Sequence, residues 1–253
     1  MKVTFLGTGT SQGVPIIACN CIVCTSSNAK DKRLRTSILI EINGKSFVVD
    51  TGPDFRQQML REEVKNIDAV LFTHEHKDHT AGFDDIRAFN FIHQKKMEVY
   101  ASVRVQEAIR REFAYIFSDF KYPGIPEINL HLLENKLINI QGVDIMPIEV
   151  LHYKLPVFGF RIGDFTYITD ANFIADIEKE KIKGTKVLVL NALRKESHLS
   201  HFTFEEAIKL VHELKPEKAY FTHISHQLGL HDDVQKELPS MIELAYDGLK
   251  ISV

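Results

Sequence analysis

Three imidazoles and the Asp78 carboxylate stand together in the segment His74-Glu75-His76-Lys77-Asp78-His79. Neutral imidazole nitrogen and carboxylate oxygen are the donors that divalent cations take, so this segment reads as metal-ligand chemistry. On an extended chain, side chains two apart share a side; His74, His76 and Asp78 are therefore expected to point one way, with His79 turned to a second position. A charge-rich solvated turn is the bland alternative. Further candidates recur where apolar runs end: Asp50 after KSFVV, His152 after VDIMPIEV, Asp170 after FTYIT and His223 after KAYFT. Taken singly, each has an ordinary reading, as a satisfied or surface His or as a capping Asp. Their common placement at strand ends, where rigid scaffolds build sites, raises all of them.

The three Cys of the chain, Cys19, Cys21 and Cys24, fall in one loop. The number is odd and the spacing too tight for a disulfide framework, so metal binding or redox chemistry is favoured over stapling, with unpaired reduced thiols as the alternative. A closed structural zinc site needs a fourth ligand, which His226 could supply. The glycines of LGTGTSQG do not match the dinucleotide-binding spacing, and the Cys loop follows them where a helix would be required; a backbone turn near the metals is the better reading. Arg56, Arg87 and Arg194 could reach a phosphate, although surface ion pairing is the commoner fate of an Arg. His93, His131 and His212 have no patterned partners and are expected to be exposed. His231 begins a helical pattern and could cap it or line the cleft.

The elements that must position these residues follow from apolar periodicity. Strands are expected over residues 2–6, 36–42, 45–49, 68–73, 97–101, 143–150, 157–162, 165–169, 186–190 and 218–222. Helices are expected over 54–63, 83–94, 103–116, 204–214 and 231–245. Thr203 with Glu206 three residues on forms a capping-box signature, and Pro239 interrupts the last helix. Asn43-Gly44 and Gly163-Asp164 read as hairpin turns. No Pro-rich, Ser/Gly-rich or like-charge stretch divides the chain, so residues 1–253 are expected to form a single α/β (α+β) domain of two sheets with helices outside.

With its His-x-His-x-Asp-His run and its later His, Asp and His at strand ends, the chain resembles the metallo-β-lactamase superfamily over essentially its whole length. The resemblance implies an αββα sandwich with two mixed β-sheets, helices on the outer faces and two divalent metals (Zn or Mn, with Fe a further option) at one edge. It assigns His74, His76 and His152 to one metal and Asp78, His79 and His223 to the other. Asp170 bridges them, and Asp50 supports the ligand loop, although a turn or capping role suits Asp50 equally well. The Cys-x-Cys-x-x-Cys loop resembles that of the PhnP-like phosphodiesterases, which implies a structural zinc on Cys19, Cys21, Cys24 and His226. In that branch a His before the capped helix protonates the departing oxygen; His201 matches the position, with a solvated loop His as the alternative. His198 either orients it or is exposed.

Two metals about 3.5–4 Å apart activate a bridging water and clamp both oxygens of an in-line displacement, so hydrolysis is the expected reaction class. A small or cyclic phosphodiester is the expected substrate, with catalysis resting on Asp78 and His201 and the metal-bridged hydroxide as nucleophile. Rival readings within the fold are a thioester or lactone hydrolase, a tRNA-processing-type ribonuclease and a pyrroloquinoline-quinone biosynthesis B-like protein. A non-catalytic metal-stabilised module is the rival from another class, and the complete ligand set argues against it. The formal net charge of −3 disfavours binding through a broad cationic face, so nucleic acid is not the expected partner. No apolar run approaches the roughly 18–20 residues of a membrane span, and the N-terminal segment lacks the pattern of a secretory signal. A cytoplasmic protein is expected, with a homodimer as the ordinary assembly.

Overall fold

The computed structural model describes residues 1–120 and 122–253. Strands β1 (Lys2–Gly7), β2 (Ser37–Ile42), β3 (Lys45–Val49), β4 (Ala69–Leu71), β5 (Met97–Ala101) and β6 (Ile128–Leu132) form one sheet in that order. The second sheet runs through β7 (Ile138–Ile140), β8 (Val143–His152), β9 (Leu155–Ile162), β10 (Phe165–Tyr167), β11 (Val187–Asn191), β12 (Lys218–Thr222) and β13 (Ile242–Leu244). The chain then returns to the first sheet, where β14 (Lys250–Ser252) lies antiparallel to β1 with Val3 opposite Ile251. Both sheets are mixed, and among the described residues each has seven strands.

Strands that are apolar at both parities must be covered on both faces, and they are. Phe5, Ile38, Ile40, Phe47, Val49 and Leu71 meet Ile145, Phe160, Tyr167 and Val189 in a core between the sheets. The alternate residues Leu6, Leu39, Val48 and Val70 face outward. They pack under α1 (Phe55–Arg61), α3 (Arg87–His93) and α4 (Val103–Glu112), while the one-turn α2 (Lys77–Thr80) carries two of the site's side chains. Across the molecule, Ile148, Leu188, Leu190 and Phe221 pack under α5 (Asp176–Ile182), α6 (Phe204–Leu214) and α7 (His231–Gln235). The result is the αββα sandwich, with each fully buried Phe or Leu contributing about 1.5–3 kcal/mol.

Both expected hairpins form, β2 to β3 and β9 to β10. So does the capping box at α6, where Thr203 Oγ1 accepts from the Glu206 amide (3.2 Å) and Glu206 Oε2 accepts from the Thr203 amide (2.8 Å). Other expectations need correction. The helix read over 231–245 stops at Gln235; beyond Pro239 the chain extends into β13, pairing Ile242 with Ala219. Pro239 has no N–H to continue a helix, and Ile242 and Leu244 are buried around a half-buried Glu243, a strand's alternation. The pattern over 83–94 divides into a 3₁₀ turn at Phe83–Ile86 and α3. Strands β6, β7, β13 and β14 and helix α5 were not read from the sequence.

Candidate metal centre

The ligand loop leaves β4 through Phe72 and Thr73. It is extended only as far as His76, which caps α2; the helical turn then swings Asp78 and His79 to a different position from His74 and His76. The expected shared orientation of His74, His76 and Asp78 is thereby corrected. Asp50, buried just past β3, fixes this loop. Its Oδ1 accepts from the Thr73 amide (2.9 Å), and its Oδ2 accepts from Thr73 Oγ1 (2.8 Å) and lies 2.7 Å from His79 Nδ1. Because the Thr73 hydroxyl donates to Asp50, it is left to accept from His74 Nδ1 at 2.9 Å. One carboxylate thus sets the tautomers of two imidazoles and leaves both Nε2 atoms facing the cleft. The approach is close enough to exclude a side chain: a Cβ on Gly52 would lie 2.1 Å from the Asp78 carbonyl oxygen, and one on Gly82 would lie 2.1 Å from that of Gly52.

The remaining candidates arrive from the second sheet. His152 ends β8, with Nδ1 2.9 Å from the Ser200 carbonyl, so that nitrogen donates and Nε2 is free. Asp170 follows β10 and His223 follows β12. Both take left-handed backbone (φ 54° and 55°), as does Asp50 (φ 65°), a concentration of disfavoured conformations typical of functional positions. The seven side chains fall into two groups that share Asp170, namely His74, His76, His152 and Asp170, and Asp78, His79, Asp170 and His223. Within each group the ligating atoms lie within 4.8 Å of one another. His74 Nε2 is 3.0 Å from His76 Nδ1, His79 Nε2 is 3.2 Å from Asp78 Oδ2, and His223 Nε2 is 3.1 Å from Asp170 Oδ1.

Among the described residues, several nitrogens here are buried without a hydrogen-bond partner: Nε2 of His79, both ring nitrogens of His223 and, beside the groups, Nε2 of His201. Buried polar atoms are ordinarily satisfied, so converging orphaned nitrogens beside carboxylates fit a pair of divalent cations. The charges agree. Burial opposes ionisation of Asp170, yet His223 and His79 hold its carboxyl well below the usual range. Burial likewise opposes charge on His79, yet Asp78, Asp170 and Asp50 raise it well above the usual imidazole value. His74 is pushed well down by burial and by His79. Such a site favours ionised carboxylates and, under competition from metal, deprotonated imidazoles.

His201 also enters this cleft. Its Nε2 lies 3.5 Å from Asp170 Oδ2, its ring stacks on His223 (4.7 Å, 18°), and its Nδ1 is 3.0 Å from Ser200 Oγ and 3.2 Å from His198 Nδ1. Burial pushes it down to about 4, despite the neighbouring Asp170 carboxylate. His198 is therefore a neighbour of His201 and not a freely exposed residue. His231 does not line the cleft; its Nδ1 is 3.1 Å from Arg33 Nη2, and its amide donates to Asp31 Oδ1 (2.8 Å). His93 and His212 are exposed, whereas His131 is half-buried and pairs with Glu98. Arg87 pairs with Asp84, and Arg194 donates to Gln227 and to the Ser197 carbonyl.

The cleft mouth is a hollow of about 510 Å³ lined by His76, Arg104, His152, Tyr153, Lys154 and Leu199, among others. A larger hollow of about 920 Å³ lies beside β6 and contains none of the grouped ligands, so chemistry and not size locates the site. Thr73, Ser200, Gly52 and Gly82 were missed in the sequence. Their only signal there is adjacency to ligands or to turns, because their function is to approach segments distant in the chain.

The Cys loop forms a third group. The sulfurs of Cys19, Cys21 and Cys24 lie 3.5, 3.3 and 3.6 Å from His226 Nδ1. Tetrahedral bonds of roughly 2.3 Å to sulfur and 2.0 Å to nitrogen put such atoms about 3.5 Å apart, so the four donors fit one zinc. The Cys24 amide and His226 lower Cys21 to about 6. The LGTGTSQG turn lies against the intervening segment, with the Ile224 amide donating to the Thr8 carbonyl (2.8 Å) and the Thr10 amide to that of Ile224 (3.1 Å). His223 and His226 therefore place one four-residue stretch in two of the groups.

Residues 45–224 match the family model of the β-lactamase superfamily domain, and the chain belongs to that superfamily, with the metallo-hydrolase fold. Within it the chain is PhnP-like: it superposes on a crystal structure of a diphosphatase from the PhnP family with a TM-score of 0.94 and 38% identity, covering 100% of this chain and 97% of that one. Zn(II)-bound PqqB from Methylobacterium extorquens shares the fold (TM-score 0.78, 19% identity, 100% of both chains). An octanoyltransferase of Porphyromonas gingivalis is 38% identical over 253 residues, 99% of this chain. The chain spans about half (51%) of that relative's length. Among the described residues no helix is long and apolar enough to cross a membrane.

Proposed function

We propose that the protein is a phosphoric diester hydrolase acting on small or cyclic phosphodiesters. The observation that carries this reading is the pair of buried ligand groups sharing Asp170, with His201 Nε2 against the same carboxylate. His74, His76 and His152 would hold one divalent metal and Asp78, His79 and His223 the other, with Asp170 common to both. Zn, Mn and Fe all suit these N and O donors, whereas Cys19, Cys21, Cys24 and His226 suit a structural zinc. When bound, the two metals supply Lewis acidity and activate water at neutral pH.

The chain's own residues do the rest. Asp50 and Thr73 hold His79 and His74 with Nε2 toward the cleft, and the Ser200 carbonyl does the same for His152. Asp78 and Asp170 complete the anionic floor. His201 donates the proton that a poor alkoxide leaving group needs. Burial holds it neutral, and an anionic phosphoryl oxygen beside Nε2 would raise its proton affinity. The 38% identity to a PhnP-family diphosphatase supports phosphoryl chemistry and adds a P–O–P linkage to the bonds worth testing. Three thiols committed to metal suit a reducing compartment, which favours the cytoplasm.

A second reading, thioester hydrolysis, rests on the match to half of an octanoyltransferase. The experiment is elemental analysis of the purified protein together with turnover of bis(p-nitrophenyl) phosphate, a diphosphate diester and an octanoyl thioester. About three metals per chain with phosphodiester turnover is the expected result. Metals with thioester turnover alone would replace the first reading by the second.

A further inference from the structure

Asn191 is a fully buried amide at the end of β11, hydrogen-bonded to the residue that follows the carboxylate shared by the two ligand groups. The ladder between β11 and the β10 segment continues as far as Ile168, whose amide donates to the Val189 carbonyl at 2.9 Å. At Ala171 the side chain of Asn191 takes over. Its Oδ1 accepts from the Ala171 amide (2.8 Å) and its Nδ2 donates to the Ala171 carbonyl (2.9 Å). Only a side-chain amide carries a neutral donor and acceptor side by side and can grip one residue's backbone in this way.

The residue so gripped immediately follows Asp170, whose left-handed backbone (φ 54°) needs its surroundings to hold it. The same Ala171 carbonyl accepts from the Phe202 amide (2.7 Å), next to His201. On its other side Asn191 is paired in register with Thr222, which precedes the left-handed His223. Through its side-chain bonds to Ala171 and its strand pairing with Thr222, Asn191 therefore links the segments bearing Asp170, His201 and His223.

We propose that Asn191 is a positioning residue of the paired metal site: its two hydrogen bonds to Ala171 set the orientation in which Asp170 serves both ligand groups. This rests on the metal reading given above but not on any particular substrate. A purely structural amide would stabilise the fold without acting on metal affinity, and the two roles separate experimentally.

The test compares Asn191→Ala and Asn191→Ser with Leu188→Ala, which empties a fully buried position on the same strand. Three quantities are read: Zn(II) affinity of the paired site by chelator competition, retention of the thiolate-bound zinc, and thermal unfolding of the metal-free protein. The expected result is a 10- to 100-fold loss of paired-site affinity in Asn191→Ala, as for other residues that orient metal ligands, with the thiolate zinc retained. Leu188→Ala is expected to lower the unfolding temperature while keeping wild-type affinity. Asn191→Ser, with a smaller hole to tolerate, gives the affinity readout should the Ala variant not fold. Wild-type affinity in both Asn191 variants, or an equal loss in Leu188→Ala, would overturn the inference. A wild-type protein that binds metal but turns over no phosphodiester removes the substrate reading alone, and the affinity comparison still decides the role of Asn191.

Discussion

His201 is the residue whose chemistry is most open to a direct test. It reaches the shared carboxylate without belonging to either ligand group, so its removal is expected to spare the metals. In His201→Ala, hydrolysis of a diester with an alkyl alcohol leaving group is expected to fall by roughly 10²–10⁴, the usual contribution of a positioned general acid. Release of p-nitrophenolate, which leaves without a proton, is expected to fall far less. Measuring kcat for both substrates, with metal content, checks this; equal losses would take the proton-donor role away from His201. At this scale the sequence was informative because ligand types are chemical and local. His74, His76, Asp78 and His79 announce themselves by spacing, and Asp170 and His223 by their position after apolar runs. Thr73, Ser200 and Asn191 were illegible, since a hydroxyl, a carbonyl or an amide acquires its role only from the segment that folds against it.

Between elements, the decisive contact is that of the β3 turn with α2. The Thr51 amide donates to the His79 carbonyl (2.8 Å), and the Gly82 amide donates to the Thr51 carbonyl (2.9 Å), which leaves no room for a side chain at residue 52. Gly52→Ala is expected to displace the Asp78 turn. It should cost about 1–3 kcal/mol, as overpacking ordinarily does, and lower metal occupancy of the Asp78, His79 and His223 group first. Chemical denaturation combined with elemental analysis reads both; a fully metallated variant of wild-type stability would show that the turn can yield. Long strands and the capped α6 were legible because each carries several residues of consistent pattern. The three-residue strands β7, β13 and β14 were not: unlike the equally short β4 and β10, they are not fully buried runs, and each becomes a strand only when a neighbour supplies its hydrogen bonds. The broken 231–245 helix shows the same point: Pro239 was visible, but pairing with β12 was what converted the remainder into a strand.

Over the whole molecule, the Cys loop is tied to the C-terminal segments by a buried polar cluster. Arg33 Nη1 donates to Thr8 Oγ1 (2.8 Å) and to the Ala245 carbonyl (2.6 Å), while Nη2 faces His231 Nδ1. Burial, followed by the Arg33 charge, pushes His231 down to about 4. The folded state therefore keeps it neutral, while an unfolded chain protonates it near 6.5. Below that pH the unfolded state binds the extra proton, so the stability His231 contributes is complete above about 6.5 and is lost as pH falls toward about 4. Urea unfolding of metal-free wild type and His231→Gln at pH 7.5 and 5.0 is expected to show the larger acid loss in wild type; equal losses would refute the assignment. By itself the sequence determined the candidate donors and the superfamily, because ligand chemistry and strand periodicity are written in residue type and spacing. Tertiary structure alone decided that α2 carries Asp78 and His79 away from His74 and His76, that the Thr73 hydroxyl and the Ser200 carbonyl fix the rings of His74 and His152, and that Asn191 grips the backbone of Ala171. The physical reason is that coordination depends on ångström-scale separations between segments brought together only by sheet pairing and core packing.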